Sequence, residues 1–327
     1  MRRTHIEAVL PYVLTASFAV VMLLFFPFRF KFEFNPDEGI QLIKAFLYSR
    51  GHALQTEIFS DQPPLFTLLL AALFRLLGPK VLVARLAVLA FSCLLLTTGL
   101  FFVQRSHGLL AGVLAFLFLT TLPLYPQLSV SAMIGLPALS LAMASLAALG
   151  RWNDSRRTGW LVLSALVFSL SLFTKAFTLV LIPVFALGIL ASGPGAGGLG
   201  GRVARNWKPA AAWLFAAGGL LIVLLLVTVG PQAWDQLVVV HASALGVEIE
   251  GVQASTLLKA TWPVLVLALA GAGGSLRRHS WAGGLLAGWF VIGLAVILIT
   301  RPAWWHQHIL ATLPGAMLAG IALAAWR

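Results

Sequence analysis

Half of the carboxylates in this chain lie in one short stretch. Of ten acidic residues among 327, Glu33, Asp37, Glu38, Glu57 and Asp61 fall between positions 33 and 61. Asp235, Glu248 and Glu250 gather in a second stretch. A carboxylate held near basic groups can take a proton from a hydroxyl, which is general-base chemistry, and Asp37 with Glu38 is the pair best placed for it. Groups that could hold an anion are scattered: Lys175, and Arg301 with His306 and His308. Arginine matches phosphate bidentately, and lysine offers a compact positive charge. A metal site has less support. His306 and His308 are two residues apart and so do not share a helical face. No firm third ligand accompanies them, so no metal is predicted, and a divalent ion has no support in the spacing. The single cysteine, Cys93, sits in an apolar run and excludes a disulfide framework or a cysteine metal cluster. His52 and His241 are further loop histidines.

Each of these residues also has a plainer reading. Asn35 and Pro36 suit the N-cap and first position of a helix. Acids in the first turn complement the helix dipole, and Asn35-x-x-Glu38 resembles a capping box. Capping and catalysis are compatible, because a cap fixes the side chain's position. Lys175 equally suits a lysine snorkelling to a membrane interface. Arg301, His306 and His308 equally suit a polar rim, with Trp304 and Trp305 as interfacial aromatics.

The elements that must position these groups follow from composition. Hydrophobic residues make up 60% and charged residues 10%, with a mean hydropathy of +0.96. Soluble domains carry about 25% charged residues, so this chain reads as an all-α polytopic membrane protein. Near-uncharged apolar runs fall at 8–28, 81–103, 109–128, 136–150, 159–174, 176–191, 209–229, 257–275, 281–300 and 307–326. Crossing a ~30 Å core needs ~20 residues, so about ten transmembrane helices are expected, some borrowing flanking residues. The first run reads as an uncleaved span and not a removed leader. The net charge of +12 resides in arginines between the runs, where positive residues fix topology, so nucleic acid is not an expected partner.

Two outer loops are expected, 29–80 and 230–256, within a single membrane domain, 1–327, that has no soluble domain. In the first, a surface helix over 36–50 carries Asp37, Gln41, Lys44 and Tyr48 at i, i+4, i+7 and i+11, with Ile40, Ile43 and Leu47 on another face. A second surface helix is expected over 63–78. If it does not cross, Arg2, Arg3, Arg105, Arg151, Arg156, Arg157, Arg202, Arg205, Lys208, Arg277, Arg278 and Arg327 all lie on one side. The positive-inside rule favours that choice, with both termini cytoplasmic and eight of ten acids on the outer face. The glycine-rich stretch 193–201 reads as a cytoplasmic linker, because it lacks a preceding strand and a P-loop lysine.

Pro36-Asp37-Glu38-Gly39, then Arg50-Gly51-His52, then Asp61-Gln62-Pro63-Pro64-Leu65 resembles the first outer loop of GT-C glycosyltransferases. The branch it resembles is the protein O-mannosyltransferase and lipid A aminoarabinose transferase group. Ala84-Arg85-Leu86, Leu172-Phe173-Thr174-Lys175 and the stretch 301–314 are similar to later segments of that group. The resemblance implies inverting transfer of a sugar from a polyprenyl-phosphate-linked donor to a glycan, lipid or protein hydroxyl. Asp37 would be the base and Glu38 its support. Lys175 and Arg301, with His306 or His308, would hold the carrier phosphate. Lys44, Tyr48, His52, Asp61 and Gln62 would line a substrate groove. The resemblance implies a bacterial inner membrane, with the site on the periplasmic or extracellular face. No cofactor is firmly implied; the lipid-linked sugar is a substrate. Two departures stand out. The group often carries a second acid at the start of the fourth span, where this chain has Gly135, and a basic residue before the double proline, where it has Gln62.

Two other functions compete. A transporter or flippase would be expected to show paired interrupted spans and intramembrane acids, which the sequence lacks. A catalytically inactive scaffold of the same fold is suggested by the missing second acid.

Overall fold

The computed structural model describes residues 5–193, 198–230, 233–239, 254–300 and 304–326. The described residues are helical, with no strand beyond one isolated bridge between Leu54 and Ile58. The helices are α1 (His5–Phe25), α2 (Pro36–Ser49), α3 (Leu65–Leu77), α4 (Val81–His107), α5 (Leu109–Thr121), α6 (Leu124–Leu128) and α7 (Gly135–Ser155). They continue with α8 (Thr158–Thr174), α9 (Ile182–Leu190), α10 (Gly198–Thr228), α11 (Ala254–Arg277), α12 (Trp281–Ile299) and α13 (Ile309–Ala325). Tight turns over Ala176–Leu181 and Trp305–His308 lead into α9 and α13.

All ten apolar runs fall on helices. Five helical stretches are long and apolar enough to cross a membrane by length and composition: His5–Phe25, Val81–His107, Gly200–Thr228, Trp281–Ile299 and Trp305–Ala325. Their outward faces are apolar. Leu24 and Phe25 on α1, and Phe215, Leu226 and Val227 on α10, are exposed. Such bands would be costly against water and suit lipid, so the chain is an integral membrane protein. α13 is the most enclosed of the five, and α10 the least.

Three boundaries differ from those the sequence suggests, each for a local reason. The first helix stops at Phe25 instead of 28, because Pro27 follows, and Phe26 to Phe34 then form an irregular loop. The run 109–128 is broken: α5 ends at Thr121, Pro123 interrupts, and α6 is a separate short turn. The glycine-rich stretch is not all linker, since Gly198 to Gly201 open α10. The surface helices span 36–49 and 65–77, with Pro64 closing off the start of α3.

Glycine sets the closest crossings. A Cβ at Gly320 would stand 2.4 Å from the Ala115 amide nitrogen, so α13 and α5 meet backbone to backbone. A Cβ at Gly293 would stand 2.7 Å from the Leu310 carbonyl oxygen, which seats α12 against the start of α13. Phe168, Phe185 and Trp213 cluster with ring centroids 4.6–5.2 Å apart and tie α8 and α9 to α10.

The bundle has two chemically different ends. At one, Arg105 pairs with Asp154, His107 Nε2 lies 3.0 Å from Ser280 Oγ, and Arg156 donates to Ser192 and Asn206. This end therefore gathers the turns carrying Arg151–Arg157, Arg202–Lys208 and Arg277–Arg278. The other end carries α2, α3 and the acid-rich first loop.

Candidate active site

Asn35 opens α2 from an extended conformation, and its Oδ1 accepts from the Asp37 amide at 2.9 Å. Pro36, at the first helical position, needs no N–H partner. Asp37 is thereby fixed in the first turn with its side chain half exposed. The expected capping box does not form, because Asn35 caps the Asp37 amide and not that of Glu38. Glu38 reaches past Asn35 to accept from the Phe34 amide at 3.1 Å.

Glu38 is itself buried. Its oxygens accept from Arg85 Nε and Nη2, each at 2.8 Å, and from the Ala132 amide at 3.0 Å. Arg85, equally buried, also donates to the carbonyls of Phe28, Lys31 and Phe32. The irregular loop after α1 thus supplies carbonyls that a guanidinium satisfies, and the Phe34 ring lies 4.8 Å beneath that cation. The fork is bidentate and its remaining donors are used, as a buried ion pair requires. Its effect is to lock the start of α2 to α4 and to the loop before α7.

Beside this lock is a cavity of about 130 Å³, lined by Asp37 and Gln41 of α2, Asp61 and Gln62 of the first loop, Met133–Gly135, Lys175 and His306. Five chain segments meet here. His306 Nδ1 lies 3.9 Å from Asp37 Oδ2. Lys175 sits where α8 ends, in an extended conformation, and its carbonyl accepts from Thr178 Oγ1 at 3.1 Å. Burial lowers its ammonium below the ordinary 10.5, against the opposing pull of Asp37 and Asp61.

α2 inverts the usual amphipathic arrangement. Gln41 and Lys44 face inward, and Ile40 and Ile43 are exposed. Lys44 Nζ donates to Asp61 Oδ1 at 2.9 Å. Burial alone would raise the Asp61 carboxyl, but Lys44, by hydrogen bond and by charge, more than offsets it, and its pKa lies below the ordinary 3.8. Gln236, from the single turn Asp235–Val239, holds the loop from outside. Its Oε1 accepts from the Ser60 amide at 2.7 Å, and its Nε2 donates to the Gln55 carbonyl at 2.8 Å.

The cavity therefore brings together Asp37, Lys175, His306, Asp61 and Gln62 of the residues singled out in the sequence. Glu38 and Lys44 stand behind it. Tyr48 and His52 do not line it. Tyr48 is eleven residues beyond Asp37, about 16 Å along the helix axis, and its carbonyl accepts from Arg75 of α3 at 3.1 Å. His52 is exposed beside Glu57 at 3.8 Å. His308 is buried but outside the lining, as its i+2 offset from His306 dictates. Arg301, His241, Glu248, Glu250 and most of the loop 230–256 lie outside the described residues. Among the described residues no group of three His, Cys, Asp or Glu side chains is arranged to hold a metal ion.

Sequence reasoning did not assign Gln41, Arg85 or Gln236 to the site. Gln41 had a signal, since it shares the i, i+4 face with Asp37. Arg85 showed as a charge inside an apolar run and within the Ala84-Arg85-Leu86 segment similar to the GT-C group, but with no role attached. Gln236 had none, because nothing local ties it to residues 55–60. Gly135, where a second acid is often found, is part of the cavity wall, and a Cβ there would meet nothing within 4 Å.

No family model and no curated protein matches the chain in sequence. Solved structures do match in fold. The crystal structure of ArnT from Cupriavidus metallidurans bound to undecaprenyl phosphate superposes with a TM-score of 0.73 at 17% identity, over 97% of this chain. The chain spans 60% of that protein's length. The archaeal oligosaccharyltransferase AglB from Archaeoglobus fulgidus, in complex with an inhibitory peptide and a dolichol-phosphate, gives 0.63 at 11% identity over 98% of this chain and 51% of its own. ArnT, a lipid A aminoarabinose transferase, and AglB are both GT-C glycosyltransferases. This chain has the fold that those GT-C membrane proteins share.

Proposed function

We propose that the chain transfers a sugar, with inversion, from a polyprenyl-phosphate carrier to a hydroxyl acceptor at the acid-rich end of the bundle. The observation that carries this reading is the single cavity in which a half-exposed carboxylate, Asp37, faces a lysine and a histidine delivered by distant segments. Asp37 takes the proton as the acceptor's O–H bond breaks. The acceptor oxygen attacks the anomeric carbon from the face opposite the phosphate. The carbon–oxygen bond to phosphate breaks, and the electron pair leaves with the phosphate. Lys175, with Arg301, supplies positive charge where that negative charge develops, and His306 offers a hydrogen-bond donor. Glu38 and Arg85 hold Asp37 in register. Asp61, Gln62 and Gln41 offer acceptors and donors to sugar or acceptor hydroxyls, and Lys44 fixes Asp61.

The acid-rich end lies opposite the arginine-rich end, which the positive-inside rule assigns to the cytoplasm. An activated sugar on the outer face lacks the cytoplasmic nucleotide pool and must arrive on a membrane carrier. The bacterial inner membrane is the proposed location. Reconstituted protein, offered a panel of polyprenyl-phosphate sugars and acceptors, is expected to transfer sugar, and Asp37→Asn to lose about 10²- to 10⁴-fold in kcat. Transfer undiminished by Asp37→Asn rejects the base. Solute movement without transfer favours a transporter. The glycine in the cavity wall at 135 favours one further reading, an inactive scaffold, which predicts carrier binding without transfer.

A further inference from the structure

A cavity larger than the one at Asp37 lies at the other end of the bundle. α11 and α13 are closest where a Cβ at Gly271 would stand 2.1 Å from the Leu318 carbonyl oxygen. From that crossing they open toward the basic end. The wedge between them has a volume of about 220 Å³, with walls of Leu267, Gly271 and Ile321 and a mouth carrying His107, Arg278 and Trp326. Gly271 and Arg278 are seven residues apart, so the wedge is about 10 Å deep along the helix axis.

Three features of the wedge point to one occupant. Its walls are apolar, which suits an alkyl chain and not a sugar. Arg278 makes no ion pair with any described residue, and a guanidinium matches a phosphate in a fork geometry. Trp326 beside it is exposed, as an aromatic at the headgroup level is.

We propose that this wedge binds one anionic phospholipid, with its phosphate on Arg278 and one acyl chain running toward Gly271. The lipid belongs to the leaflet opposite the transfer site and takes no part in the reaction. Native mass spectrometry of the detergent-purified full chain tests this, titrating phosphatidylglycerol against phosphatidylcholine of the same chains. The first bound lipid is expected at about tenfold lower phosphatidylglycerol than phosphatidylcholine. Arg278→Gln should abolish that preference, and Arg157→Gln, at the same end of the bundle, should leave it intact. Gly274→Leu fills the wedge without a clash, since a Cβ there meets nothing within 4 Å, and should weaken both lipids at least fivefold. Equal binding of the two lipids by the wild type overturns the proposal, as does a preference that survives Arg278→Gln. Displacement of the lipid by inorganic phosphate at millimolar concentration also overturns it, because that outcome means a simple anion site.

Discussion

Arg85 serves five acceptors: both Glu38 oxygens and the carbonyls of Phe28, Lys31 and Phe32. Arg85→Met leaves a buried carboxylate without its cation, a change that costs about 3–5 kcal/mol in comparable pairs. Glu38→Gln leaves the buried Arg85 cation without its anion and turns an amide N–H toward a guanidinium donor, so it should cost about as much. Thermal unfolding in one detergent should therefore place both single variants well below wild type; a wild-type melting temperature in either would show that the pair does not hold the start of α2. Lys175 carries the opposite sign. Its folded pKa is lowered, so between that value and 10.5 the unfolded chain binds more protons and stability rises with pH. Below that window the charged ammonium is a standing cost to the fold, so Lys175→Met should melt higher than wild type while losing carrier binding. Transfer should fail on the alkaline side below pH 10.5, as the amine loses its proton, and Lys175→Arg should carry that limb upward. Asp61 behaves as a stabilised carboxylate. The Lys44–Asp61 contribution is complete above pH 3.8 and is lost as pH falls through the lowered folded pKa. Lys44→Gln should flatten the acid limb of a melting-temperature profile.

At the scale of elements, local signals were readable and distant ones were not. The ten apolar runs, the Asn35-Pro36 start of α2 and the existence of the two surface helices all rest on composition or on residues a few positions apart, and the structure has helices at each. The break at Pro123 was also written in the sequence but lay inside a run apolar enough to hide it. The Gln236 grip on residues 55–60 had no local trace, because it depends on how two loops meet. Of the candidate site, Asp37 and Lys175 stood out as charges beside apolar runs. Arg85 stood out too, but its role did not, because its partner Glu38 lies 47 positions away. The crossings depend on single glycines. Gly320→Leu should force α13 off the Ala115 backbone and leave little monodisperse protein on size exclusion, whereas Gly219→Leu, where a Cβ meets nothing within 4 Å, should elute as wild type. Equal behaviour of the two would show that the α5–α13 contact is not needed for assembly.

For the whole molecule, the separation of acids from arginines is a statement about sidedness. In a Cys93→Ser background, Glu57→Cys at the acid-rich end should react with a membrane-impermeant maleimide added to intact cells, and Arg157→Cys at the basic end should not. The opposite pattern would put the carboxylate cavity in contact with the cytoplasm and remove the case for a lipid-borne donor. The inward-facing polar stripe of α2 bears on how the chain tolerates change. In a water-soluble protein, exposed positions accept polar substitutions and buried ones refuse them. Here Ile40 and Ile43 are exposed, Ile40 at the rim of the carboxylate cavity, while Gln41 and Lys44 are buried among other side chains. A saturation screen along this helix should return a tolerance profile half a turn out of phase with a soluble amphipathic helix, accepting leucine where such a helix accepts glutamate. Evolution of this segment is thus constrained most where the side chains are most hydrophilic.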